Sequence, residues 1–225
     1  MANDKDIIFP SAQTPQHNTS LVQGCSFGRR DNPGAGHSFA GGLGILADGG
    51  GHNVYSCGVF GQAVAYWFGL GLLYEGAGHN TYFGQWYVQG SAVHHSAAAL
   101  VNIGGHNHYQ SEIAQNDGHA KDFSCALLHD IGGNNIYECH GSMSLGSAWY
   151  NAAGVLWNDG ANDTFLSGGG ISVGSGQDGE EGPCISLFLH GPGACQIKGP
   201  HPFPDHDRYW NIHNKDGSRS IGWLQ

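Results

Sequence analysis

Apolar and polar residues recur along this chain with a long period, far longer than that of a helix. The segments Asp48-Gly49-Gly50-Gly51-His52-Asn53-Val54-Tyr55 and Glu75-Gly76-Ala77-Gly78-His79-Asn80-Thr81-Tyr82 are near copies. Asn102-Ile103-Gly104-Gly105-His106-Asn107-His108-Tyr109 and Asp130-Ile131-Gly132-Gly133-Asn134-Asn135-Ile136-Tyr137 repeat them, and a fifth copy ends Ala161-Asn162-Asp163-Thr164-Phe165. Aligned on the Asn, they stand at 53, 80, 107, 135 and 163, with spacings of 27, 27, 28 and 28. Stepping back 28 lands on Cys25 and stepping forward 32 lands on Cys195, which predicts about seven turns. Fixed-period self-similarity of this kind is the mark of a stacked-repeat architecture.

A period of 27–28 suits one coil of an all-β parallel β-helix, with three short strands and three turns per coil. Coils stack about 4.8 Å apart, and parallel crossovers make a right-handed coil the expectation. Residues one period apart then form columns. One inward face is predicted to carry an amide ladder headed by Cys25, an aromatic column running from Phe27 through Tyr55, Tyr82, Tyr109, Tyr137 and Phe165 to Ile197, and a column of small residues headed by Arg29. Leu46, Leu73, Leu100, Leu128, Leu156 and Phe188 form a second core column. In the same stretch Leu43/Ile45, Leu70/Leu72 and Ile185/Leu187 have the opposite parity, and so are expected on an outer face.

The Leu-x-Asp-x-Gly-Gly-x-Asn-x-Tyr pattern resembles the glycine-rich repeats of uncharacterised bacterial proteins. The resemblance implies a solenoid and transfers no activity. It divides the chain into an N-terminal arm (1–23), a repeat domain (24–199) and a C-terminal tail (200–225) that caps the last coil or binds a partner. Cys57 and Cys139 share a column three coils apart, too far for a disulfide. Cys125 is expected to be buried, as the other cysteines are, and Cys184 fits no column.

Composition agrees with this architecture. Glycine supplies 39 of 225 residues and only 12% are charged, which disfavours a helical bundle. The net charge of −10 shows no basic patch for nucleic acid, and no apolar run is long enough to span a membrane as a helix. Met1–Pro10 lacks the features of a secretory signal. Together with unpaired cysteines this makes the cytoplasm the expected compartment, with secretion left open.

Chemistry is sought where a column breaks. Thirteen places before the Asn register the residues are Ala40, Trp67, His94, Asp122 and Tyr150. A His and an Asp one coil apart suit a general base oriented by a carboxylate. Lys121 would stabilise developing charge, His95 and His119 stand nearby, and Trp67 and Tyr150 would serve as binding platforms for a carbohydrate or small polar substrate. This reads as an enzyme of the lyase, isomerase or metal-assisted hydrolase type. The alternative is a non-catalytic binding or self-assembly module. A divalent transition metal is the candidate cofactor, held by the His52, His79 and His106 ladder or by His94, His95, His119 and Asp122. Either the C-terminal tail lies on the outer apolar face or the protein self-associates there, and a homo-oligomer is the expected assembly.

Overall fold

Each repeat is laid down as a succession of strands that pair in parallel with the same strands of the next repeat. The computed structural model describes residues 19–30, 38–169, 172–177, 183–199, 209–213 and 219–224. They form an all-β solenoid, with no helix among the described residues.

The long sheet contains Leu43–Asp48, Leu70–Glu75, Ala97–Ile103, Cys125–Ile131, Ala153–Asn158 and Ile185–His190 in parallel order. The tyrosine sheet stacks Val54–Ser56, Thr81–Gly84, His108–Ser111, Ile136–Cys139, Asn162–Ser167 and Ala194–Lys198. A short sheet of two-residue strands runs from Ser26–Phe27 through Ala65–Tyr66, Ala92–Val93, Ala120–Lys121 and Ala148–Trp149 to Gly176–Gln177. A fourth side pairs Thr19–Val22, Val59–Gly61 and Trp86–Val88, then thins to isolated bridges such as Ala114 to Ser142. The early coils therefore have four sides where three were expected.

The coil count is also corrected, to about five turns in place of seven. Ser26 pairs with Ala65, an offset of 39, whereas Leu43 pairs with Leu70 at the normal 27. Cys25, Phe27 and Arg29 thus leave the columns assigned to them: the chain between Phe27 and Leu43 makes an excursion, marked by an antiparallel bridge from Arg29 to Phe39. Phe27 stacks on Tyr66, at 4.9 Å between ring centroids. The other end follows the expected register, with Asp163 opposite Cys195. In the tail, Arg219–Leu224 pairs in parallel with Ile185–His190, and Tyr209–His213 lies antiparallel outside it. The rest of the tail and the N-terminal arm before Thr19 lie outside the described residues.

The core is built from columns. Tyr55, Tyr82, Tyr109, Tyr137 and Phe165 stack at 5.0, 4.7, 4.7 and 4.6 Å, beside fully buried Leu73, Leu100, Leu128 and Leu156. Complete burial of each such side chain contributes roughly 1.5–3 kcal/mol.

The amide ladder is joined from coil to coil by backbone N–H groups donating to side-chain oxygens. The backbone N–H of Asn53 donates to Oδ1 of Asn80, that of Asn80 to Asn107, and that of Asn107 to Asn135, at 2.9–3.0 Å. Each side-chain N–H2 turns sideways to the preceding column of Glu75, Asn102, Asp130 and Asn158. The tyrosine hydroxyl of the same coil donates to the same oxygen, as Tyr82 does to Asn102 Oδ1 at 2.8 Å. Those acids and amides are buried acceptors, whereas Asp48, in the first coil of the column, caps its turn through the Gly50 N–H.

The glycine of the repeat is dictated by the coil beneath. A Cβ on Gly105 would lie 1.7 Å from the Gly78 carbonyl oxygen, at a φ of +83°. The outer face of the long sheet is apolar and uncovered among the described residues, with Leu43 60%, Ile45 58% and Ile185 58% exposed. Cys125 lies on this face and is exposed, contrary to expectation, because its parity is that of Leu43 rather than Leu46. Cys184 is buried, next to the alanine column of the short side.

Candidate functional site

The corner between the short and long sheets is made the same way in four successive coils. Two consecutive residues adopt left-handed backbone angles: Trp67–Phe68, His94–His95, Asp122–Phe123 and Tyr150–Asn151. Non-glycine residues there cost roughly 1–2 kcal/mol each. Inter-coil hydrogen bonds hold the conformation: the N–H groups of His94 and His95 donate to the carbonyls of Lys121 and Asp122, and those of Asp122 and Phe123 to Trp149 and Tyr150. Because the turn recurs in these four coils, the first residue of each pair projects in the same direction.

That repetition brings His94 and Asp122 together, with Nδ1 2.8 Å from Oδ2 and side-chain exposures of 16% and 15%. Burial works against the Asp122 carboxylate, but the His94 hydrogen bond and the charges of Lys121 and Arg30 outweigh it and hold the group below its ordinary range. An ionised carboxylate only accepts, so Nδ1 carries the hydrogen and Nε2 keeps its lone pair. Tyr66 and Trp67 meet the imidazole edge to face, at 5.1 and 6.1 Å.

Arg30 completes the corner, and the repeat pattern did not disclose it. Its guanidinium nitrogen lies 3.0 Å from His94 Nε2 and 3.3 Å from Nδ1. A donor on the in-plane lone pair of Nε2 would be much farther from Nδ1, so near-equidistance places Arg30 against the ring rather than on that lone pair. The guanidinium also sits 5.3 Å above the Trp67 ring and hydrogen-bonds the Tyr66 side chain. Arg30 lies within the excursion that breaks the period, where column arithmetic has no reach.

The other candidates separate. Lys121 places its ammonium over Trp149 at 4.6 Å and Tyr150 at 5.8 Å. His95 faces away from His94, clamped between Phe68 and Phe123 at 4.8 and 5.0 Å. His119 is fully buried, with Nδ1 2.7 Å from Ser147 Oγ, and burial pushes it down to about 3. It is a neutral core residue beneath the surface. Two serines the sequence reading passed over brace the corner. Ser124 Oγ accepts from the Ser96 N–H at 3.1 Å and donates to the Asp122 carbonyl, and Ser96 Oγ donates to the His94 carbonyl. Their 28-residue spacing, two places after His94 and Asp122, was a usable signal.

His52, His79 and His106 do stack, with centroids 5.0 Å apart. Their Nδ1 atoms are already used: His52 accepts the His79 N–H, His79 the His106 N–H and His106 the Asn134 N–H. The remaining nitrogens project side by side from near-parallel rings, while two nitrogens on one ion at ~2.1 Å would have to converge within ~4.2 Å. Among the described residues no three His, Cys, Asp or Glu side chains are placed to hold a metal ion. The tail's His201, Asp205, His206 and Asp207 lie outside the described residues, as does the side chain of His213.

The described concavity, about 320 Å³, is not at this corner but on the apolar face. It is lined by Leu70, Leu72, Ala99, Leu127 and Val155. It exists because Ala97, Cys125 and Ala153 form a small-residue dip between Leu70 and Ile185. No protein-family model matches the chain, and comparison with curated proteins and with solved structures finds no match.

Proposed function

We propose that the His94 corner is an active site for acid–base chemistry on a carbohydrate or similar small polar substrate. The observation that carries this reading is the 2.8 Å His94–Asp122 pair on a surface corner rimmed by Tyr66, Trp67, Trp149 and Tyr150. Asp122 orients the ring and stabilises the imidazolium that forms. Nε2 removes a proton from a carbon next to a carbonyl or carboxyl group. In an elimination the C–H electron pair becomes the new double bond, the β C–O bond breaks, and the departing oxygen is protonated by the imidazolium. In an isomerisation the proton returns to a neighbouring carbon. Arg30 and Lys121 stabilise the charge that develops on oxygen. The aromatic rim supports the sugar element, since flat rings stack against apolar sugar faces. The repeat motif supports grouping the chain with glycine-rich bacterial repeat proteins.

The test is a substrate screen read by ultraviolet absorbance for unsaturated products and by NMR for isomers. On a positive substrate, His94→Ala should lose about 10²–10⁴ of kcat, and Asp122→Asn should also be impaired while both variants stay folded. Variants that turn over at the wild-type rate would defeat the assignment.

A second reading rests on a different observation, the uncovered apolar face of the long sheet. Six strands by six residues give roughly 500 Å² per copy from standard strand spacings, near the lower bound for a specific interface. A second copy is the proposed occupant, in a weak, concentration-dependent pair. Sedimentation over a wide concentration range, with Leu43→Gln and Ile185→Gln as the dissociating variants, tests it, and a wild-type monomer throughout would exclude it.

A further inference from the structure

We infer that the ligand of the His94 corner carries a carboxylate, recognised by Arg30 and Lys121. This rests on the reading of that corner as a carbohydrate site. The chain has a net charge of −10 and only eight Lys and Arg residues. Among the described residues whose side chains are placed, the cations are Arg29, Arg30, Lys121 and Lys198. Two of these four bracket His94 along the solenoid axis, Arg30 against the ring itself and Lys121 in the following coil. An anion is therefore repelled by the protein at large and attracted at this corner.

Among the described residues, neither Arg30 nor Lys121 stands in an ion pair. No described carboxylate lies within ion-pair distance of either, and the Asp122 oxygen nearest the site is engaged by His94. Both charged heads rest on aromatic faces instead, Arg30 over Trp67 and Lys121 over Trp149. Arg30 turns part of its five-donor fork to His94 and Tyr66 and offers the remaining N–H groups at the rim, as the Lys121 ammonium does with its three. A carboxylate offers a charge-assisted, bidentate partner to Arg30 and a point contact to Lys121, without displacing the His94–Asp122 bond. The same placement serves the chemistry. A carboxylate attached to the carbon that loses its proton takes up the resulting negative charge, and two flanking cations stabilise it there.

The experiment is calorimetric titration with a D-glucuronate-containing oligosaccharide and its carboxyl-reduced counterpart, which differ only in having –COO⁻ or –CH2OH. Wild-type protein should bind the uronate about tenfold or more tightly at low salt, with the preference shrinking as salt is added. Arg30→Gln and Lys121→Gln should each reduce the preference, and the double variant should abolish it, the preference being the ratio of the two affinities measured on the same variant. Thermal unfolding of the variants confirms that they are folded. Equal affinity of wild-type protein for both sugars, or a preference that survives in the double variant, overturns the inference and leaves the site reading standing. If wild-type protein binds neither sugar, the carbohydrate reading and this inference fall together.

Discussion

The backbone N–H of Asn80 donates to the side-chain Oδ1 of Asn107 at 2.9 Å, across 27 residues of sequence and one coil of the solenoid. Asn107 also donates to the Gly104 carbonyl and to Asp130 Oδ2, at 3.2 and 3.1 Å. One side chain thus closes its own turn, ties two coils together and satisfies a buried carboxyl. Asn107→Ala leaves those partners unsatisfied, and each buried unpaired group costs about 1–3 kcal/mol. The expected loss is about 2–4 kcal/mol, measured by denaturant unfolding.

Gly105 has no room for a side chain, because the coil beneath presents the Gly78 carbonyl where a Cβ would go. Gly105→Ala should cost at least about 2 kcal/mol from strain and displacement of the coil. Gly104 also has a positive φ, +74°, but meets nothing within 4 Å. Gly104→Ala should therefore be the milder change, with the difference read as two melting temperatures.

Carboxylates and amides alternate in the buried column: Glu75, Asn102, Asp130, Asn158. Asn102→Asp would place three acids in successive coils, where like charges cannot all ionise. Stability at pH 8 should fall on the order of 2 kcal/mol, and the penalty should shrink in acid as the column takes up protons.

Burial pushes Asp117 up to about 7 and Asp130 up to about 8, against hydrogen bonds that pull the other way. Unfolded carboxyls titrate near ~3.9, so the folded state holds protons the unfolded chain has released. The stabilisation from these groups is complete below ~3.9 and lost as pH rises through their folded values. His119 has the opposite sign. Pushed down to about 3, it contributes fully above the ~6.5 of an unfolded histidine and loses that contribution as pH falls. Above pH ~6.5 the carboxyls decide, and the melting temperature should decline towards pH 9. Asp130→Asn should flatten that decline, and an unchanged slope would contradict the assignment.

The sequence exposed the vertical register because the Asn, Tyr and Leu columns recur every 27 or 28 residues, so Asn80 over Asn107 and His94 beside Asp122 follow from counting. It misplaced Cys25, Phe27 and Arg29, since an excursion between Phe27 and Leu43 changes the offset without changing the local look of the residues. Arg30 was hidden for the same reason: its contact with His94 spans 64 residues and belongs to no column. His119 looked like a neighbour of Lys121 and Asp122 in sequence, but it precedes the short strand, directly after Gly118 with its φ of +76°, and is buried against Ser147. The histidine ladder was legible as a stack and not as a set of acceptors, because its partners are backbone N–H groups.

Catalysis at this corner requires Asp122 to hold His94 with hydrogen on Nδ1 and a lone pair on Nε2. Long-range ¹H–¹⁵N NMR of the imidazole reports the tautomer directly and needs no substrate. Neutral His94 should show the Nδ1–H tautomer in the wild-type protein and lose that preference in Asp122→Asn. An Nε2–H tautomer in the wild-type protein, or a spectrum unchanged by the substitution, would contradict an oriented base at this corner.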